Sequence, residues 1–191
     1  AADGLTLLQV ADLHLGGSVG IRRLRRAVDQ GLALDPDLVA VTGDLVDAHV
    51  PAVAPMLPEL ERLRARHGVL AVLGNHEFYA GAAPSRRLLR AAGFPLLDHA
   101  AVEVSPGLWF AGVPDPRGSR ETGGNPPADL AAALAGVPEG AAVVLLQHSP
   151  EAVEEAADAG VGLMLSGHTH GGQIWPFNLA VGAVYPHLGG V

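Results

Sequence analysis

Ser166-Gly167-His168-Thr169-His170-Gly171-Gly172-Gln173 places two imidazoles one residue apart on a glycine-rich turn. Packing explains such a pair poorly. Aiming at two neighbouring points explains it better, since neutral imidazole is the commonest protein ligand for borderline metals. Four further turns carry partners of matching chemistry: Asp12 with His14, Asp44, Asn75 with His76, and His148. The donors are carboxylate, imidazole and amide oxygen, a set that selects Mn, Fe, Zn or Mg/Ca-type ions over soft metals. Cysteine is absent, which removes disulfides, thiolate nucleophiles and Cys-type zinc sites. The candidate ligands Asp12, His14, Asp44, Asn75, His148, His168 and His170 are too many for one tetrahedral ion, which takes about four. They suit two divalent ions ~3.5–4 Å apart, joined by one carboxylate and a water-derived ligand. Taken singly, each has a plainer reading: Asp12 or Asp44 as a helix cap, Asn75 as a turn residue, His148 as a satisfied core histidine. Their recurrence at the ends of successive strands favours the metal reading.

The strands that must position these turns are short apolar runs. Leu5–Val10 leads into Asp12-Leu13-His14, and Asp37–Thr42 into Gly43-Asp44-Leu45-Val46-Asp47. Val69–Leu73 leads into Gly74-Asn75-His76-Glu77, Ala141–Gln147 into His148, and Val161–Leu165, read as a buried strand, into the His168/His170 turn. Between them, Ile21, Leu24, Val28 and Leu32 recur at helical spacing, with Arg22, Arg23, Arg25 and Arg26 forming a solvated face. A second helix is expected from about Pro58, with Leu60 and Leu63 inward and arginines near its end, and a third from Pro84 to Ala92. Val102–Val104 and Leu108–Phe110 flank Ser105-Pro106-Gly107, a hairpin pattern. Pro114–Pro127 reads as a loop, Asp129–Leu134 as weakly helical, and Ser149 with Pro150 as the cap and first residue of a helix ending at Gly160. Strands alternating with helices argue for a layered α/β fold with helices on both faces of the sheets. In such folds ligands bind beyond the carboxyl ends of the strands, so parallel strands gather all five turns at one edge.

The chain has 191 residues, 49% of them hydrophobic, with a formal net charge of −8 and arginine as every one of its 12 basic residues. No repeat, linker or composition break divides it, so residues 1–191 are read as one domain. An acidic chain is not built to grip nucleic acid through a broad phosphate-contacting surface, although a bound cation would still attract a phosphate locally. No apolar run reaches the ~18 residues of a membrane span, and Ala1-Ala2-Asp3-Gly4 has no signal-peptide character. The compartment is left open between cytoplasm and a membrane-associated or envelope setting.

Asp-x-His, Gly-Asp-x-x-Asp, Gly-Asn-His-Glu, a lone His and Gly-His-x-His follow one another in this order, from Asp12 to His170. The pattern resembles the calcineurin-like metallophosphoesterase superfamily. Asp-Leu-His-Leu-Gly and Gly-His-Thr-His-Gly-Gly-Gln-Ile are similar to a bacterial subgroup tethered at the cytoplasmic membrane or exported to the envelope. The resemblance implies a sandwich of two β-sheets flanked by helices. It also implies two divalent metal ions, Mn favoured, and hydrolysis of a phosphodiester, pyrophosphate or phosphomonoester of a small molecule or lipid head group by metal-activated water. By motif, Asp12, His14 and His170 would hold the first metal, Asp44 would bridge, and Asn75, His148 and His168 would complete the second. His76 would act on the phosphate or the leaving oxygen, with Glu77, where many relatives carry Asp, as its orienting partner. The subgroup implies peripheral membrane association; no protein partner is implied. The chain ends at Val191, before the further strands with which relatives complete the second sheet, so a C-terminally truncated version of the fold is expected, with Trp175, Phe177 and Tyr185 on an apolar tail. The competing readings are a non-catalytic metal-binding scaffold of the same fold and a nuclease. Retention of every ligand argues against the first, and the acidic balance against the second. His49, His67, His99 and His187 fit no motif and read as surface or packing residues.

Overall fold

The computed structural model describes residues 4–17, 19–47, 49–116, 129–172 and 177–185. Two sheets form its centre. Strands β1 (Leu7–Val10), β2 (Leu38–Val41) and β3 (Val69–Ala71) make a parallel sheet in that order. Strands β4 (Ala100–Ser105), β5 (Leu108–Gly112), β6 (Ala142–Leu146) and β7 (Leu163–Leu165) make the second, antiparallel between β4 and β5 and parallel from β5 to β7.

Side-chain alternation along each strand decides the layering. Leu38 and Ala40 of β2 pack with Leu70, Leu108, Phe110, Val144 and Leu146, so the two sheets face each other across this core. Val39 and Val41 point the other way, into a core with Leu24 and Val28 of α1 (Ile21–Leu32) and Leu88 and Leu89 of the helix Ala82–Ala91. Val143 and Leu145 of β6 meet Ala133 of the helix Leu130–Leu134 and Ala156 of the helix Val153–Asp158. The layers therefore run helix, sheet, sheet, helix. The expected α/β sandwich is present, with one difference: helices cover only the outer face of each sheet. A strand buried on both faces has no polar side to display, which is why β2 and β6 read as continuous apolar runs.

Several local expectations are corrected. The helix expected from Pro58 is only the turn Leu57–Leu60, and it is preceded by two short segments that were not expected, Val50–Val53 and a 3-10 turn Ala54–Met56, each of the three with a proline near its start. Pro51, Pro55 and Pro58 lack the N–H that a continuous helix needs, so each restarts the chain. Leu60 and Leu63 are nonetheless buried. Ser149 does not cap a helix: the next one begins at Val153 behind Ala152, which is left-handed at φ 56°, and the Ser149 hydroxyl turns inward instead. Strand β7 is not buried as read. Among the described residues it pairs only with β6, and Leu163 is 48% exposed. Ile21, placed on the apolar stripe of α1, is 40% exposed, while all four arginines of that helix face solvent as expected. Residues 117–128 of the Pro114–Pro127 loop, Trp175 of the apolar tail, and His187 lie outside the described residues. Among the described residues no helix is long and apolar enough to cross a membrane.

Candidate metal centre

The carboxyl ends of β1, β2, β3, β6 and β7 open on one edge, and adjacent turns are stitched to one another through their backbones. Asp12 N–H donates to Gly43 O at 3.1 Å and His14 N–H to Asp44 O at 3.0 Å, so the turns after β1 and β2 travel side by side. Gly167 N–H donates to His148 O at 2.9 Å, tying the turns after β6 and β7. The Asp12 carboxylate accepts from His168 N–H at 3.0 Å, which joins the first turn to the last across 156 residues. Glycine is needed where these turns cross. A Cβ on Gly43 would lie 2.7 Å from both Gly74 N and the His148 ring, and one on Gly74 would lie 2.6 Å from Asp44 N.

Three groups of side chains converge there, the ligating atoms of each all within 4.8 Å of one another: Asp12, His14 and His170; Asp44, His148 and His168; and His14, Asp47 and His76. His14 Nε2 lies 3.1 Å from His170 Nε2, and His170 Nε2 lies 3.4 Å from Asp12 Oδ1. His148 Nε2 lies 3.0 Å from Asp44 Oδ2, and Asn75 Oδ1 lies 3.0 Å from His168 Nδ1. Asp44 Oδ2 is also 4.0 Å from His14 Nε2 and 4.0 Å from His76 Nε2, so one oxygen faces both of the first two groups. All seven candidate ligands and His76 are thus brought together, whereas His49, His67 and His99 belong to none of these groups.

The electrostatics are those of a place that wants a cation. His148 is 0% exposed and its Nδ1–H donates to the Thr42 carbonyl at 2.8 Å, which leaves the Nε2 lone pair turned toward a carboxylate oxygen. In the neutral ring that nitrogen has no proton to offer Asp44 and is buried without a hydrogen-bond partner; His14 Nδ1 is likewise buried without one. Two acceptors 3.0 Å apart repel unless a proton or a metal ion answers both. Burial alone would favour the neutral ring, but the hydrogen bond and charge of Asp44 outweigh it and push His148 up to about 9. Burial likewise pushes the Asp44 carboxyl upward. The His148 hydrogen bond and charge, with the His76 N–H, prevail and hold it below the ordinary carboxylate range. Donors ~3 Å apart are also what bonds of about 2.1 Å to one ion produce, so the residues present fit divalent metals.

Glu77 departs from its expected role. Its carboxylate is 0% exposed and accepts from the backbone N–H groups of Asp44 at 2.9 Å, Val46 at 2.8 Å and Gly74 at 2.8 Å. Burial, then the charge of Asp44, pushes its pKa up to about 7 against the pull of those N–H groups. Its oxygens hold the Asp44 and Gly74 turns instead of orienting the His76 ring. Asp47 stands beside that ring: its Oδ1 lies 2.9 Å from His76 Nδ1 and 3.4 Å from His14 Nδ1. Asp47 was visible in the Gly-Asp-x-x-Asp motif, but its job depends on two rings arriving from elsewhere. Tyr79, 49% exposed, sets its ring edge-on to His76 at 5.5 Å between centroids.

Comparison with known proteins follows the same lines. The family model for calcineurin-like phosphoesterase matches residues 5–172. A metallophosphoesterase of Aquifex aeolicus is 36% identical over 171 residues, covering 90% of this chain and 65% of that protein. A metallophosphoesterase of Helicobacter pylori is 31% identical over 98% of this chain and 50% of that protein. A bovine protein named as a transmembrane protein with a metallophosphoesterase domain is 32% identical over 99% of this chain and 45% of its own length. The chain thus spans about two thirds or less of the curated relatives it matches. Among solved structures, a 5'-nucleotidase precursor of Thermus thermophilus shares the fold, with a TM-score of 0.57 and 21% identity over 87% of this chain and 42% of that one.

Proposed function

We propose that this chain, which belongs to the calcineurin-like phosphoesterase family, hydrolyses a phosphoester of a small molecule or lipid head group at a centre of two divalent ions. Asp12, His14 and His170 would hold one ion and Asn75, His148 and His168 the other, with Asp44 between the two groups. The observation that carries this reading is the Asp44 carboxylate, whose Oδ2 lies 4.0 Å from His14 Nε2 and 3.0 Å from His148 Nε2 and so faces both ligand groups. When bound, such ions activate water for attack on phosphorus and balance charge on the phosphoryl oxygens, Mn being the ion favoured here.

The protein's own part is placement and proton transfer. His76 is about one-third exposed, with Nε2 toward the ligand groups and Nδ1 beside the Asp47 carboxylate. Asp47 accepts from Nδ1–H and steadies the imidazolium, so that Nε2–H is presented to the leaving oxygen and its proton passes to the departing alkoxide. Glu77 keeps the Asp44 turn from relaxing. Alanine at Asp44 or His148 should abolish Mn-dependent hydrolysis of a chromogenic phosphodiester, a loss beyond the about 10–100-fold typical of residues behind the ligands. Hydrolysis persisting at wild-type rates would contradict the assignment.

A further inference from the structure

We propose that Asp115 is a positioning residue that clamps the turns carrying Asn75 and His148 together and so sets the geometry of the second metal site; the inference rests on the two-metal reading above. Asp115 lies beyond the end of β5, is 0% exposed, and belongs to none of the three donor groups. A carboxylate removed from water must be held by polar partners, because burying a charge is expensive. Its backbone and its side chain reach two different turns. The backbone N–H donates to Leu73 O at 2.9 Å, the carbonyl immediately before Gly74-Asn75. Oδ2 accepts the hydroxyl of Ser149, the residue immediately after His148 and itself 0% exposed.

Gln147, on the other side of His148, completes the knot. Its amide donates to Ser149 O and Glu151 O, both at 2.9 Å, closing residues 147–151 into one compact turn. The Thr42 carbonyl fixes the rotation of the His148 ring, but the position of the whole residue follows its backbone, and Asp115 holds that backbone to the Leu73 strand end. The turns that supply Asp12 and His14 are braced differently, by Gly43 O and Asp44 O. Since metal sites tolerate donor displacements of only about 0.2 Å, loosening this clamp should weaken one ion and spare the other.

Calorimetric titration of the metal-free full chain with Mn2+ tests this. Wild type should show two binding events. Asp115→Ala should retain one near its wild-type affinity and weaken the other by about 10–100-fold. Asp115→Asn, whose amide oxygen still accepts from Ser149, should recover most of that loss. Ser149→Ala should weaken the same event more mildly, and it carries the test if Asp115→Ala fails to fold. Equal weakening of both events, or a lowered melting temperature with both affinities intact, would overturn the positioning role. A wild-type chain that binds fewer than two ions would overturn the two-metal reading and this inference with it, a result distinct from the first.

Discussion

Asp12, His14, Asp44, His168 and His170 all adopt left-handed backbone, with φ between 47° and 70°. For an L-residue other than glycine that conformation costs roughly 1–2 kcal/mol, so five ligands carry stored strain that the surrounding hydrogen bonds hold in place. His170, on the solvent side, gives the cleanest test: His170→Gly should leave the metal-free protein about 0.5–1 kcal/mol more stable in urea unfolding while weakening Mn2+ binding and hydrolysis. A loss of more than about 1 kcal/mol would mean that the residue is not strained in the sense argued. Asp47→Asn should lower kcat and leave KM little changed, because the amide cannot steady an imidazolium at His76. An equal effect on KM alone would assign Asp47 to substrate binding instead. At this scale, much could be read in advance: ligand chemistry is carried by residue type, and each motif names its own donor. Asp115 could not be read, because a lone aspartate on a loop gains meaning only when Leu73 and Ser149 reach it. Glu77 was misread for a related reason, since its three partners are backbone groups that leave no mark in the sequence.

At the scale of elements, the strand ends matter more than the strands. Gly74→Ala should push the Asp44 turn aside, since the new Cβ would fall 2.6 Å from Asp44 N. We expect at least a 10-fold loss of activity, on the order of 1.4 kcal/mol, with far-UV circular dichroism unchanged; unaltered activity would contradict the crossing geometry. The outer helices are linked by a charged network, in which Glu59 accepts from Arg25 at 2.7 Å and Arg62 at 2.6 Å. The hydrogen bonds of Arg25 and then Arg62 hold its carboxyl below the ordinary value of 4.5. A carboxylate lowered on folding stabilises above its unfolded pKa, and loses that contribution as pH falls through its folded pKa. Glu59→Gln should therefore be less stable than wild type at neutral pH, with the difference closing as acidification protonates the lowered Glu59 carboxyl. A gap that is independent of pH would show that packing, not charge, is at stake. The elements misread in advance were those with two defensible roles. Ser149-Pro150 fits a cap pattern, but a buried Asp115 competes for the hydroxyl, and Pro51, Pro55 and Pro58 each restart a short helical segment, the last of which ends at Leu60.

Over the whole molecule, the two sheets meet face to face and leave the carboxyl ends of five strands along a single rim. That arrangement was legible because parallel strands send their ends the same way. The division into two sheets was implied by the family resemblance and not by the strands themselves, since apolar runs look alike whether a helix or another sheet covers them. The rim holds acidic and imidazole groups that stand in mutual conflict without a cation, so folding stability should track metal content. Stripping the protein with chelator should lower its melting temperature, and Mn2+ should restore it, with about 2.7 kcal/mol regained at a hundredfold excess over Kd. An unchanged melting temperature would mean that the ligand groups are satisfied without metal. The central claim is tested most directly by anomalous diffraction from crystals soaked in Mn2+. The account predicts two peaks at the rim with the Asp44 carboxylate touching both; a single peak, or two peaks that leave Asp44 untouched, would contradict it.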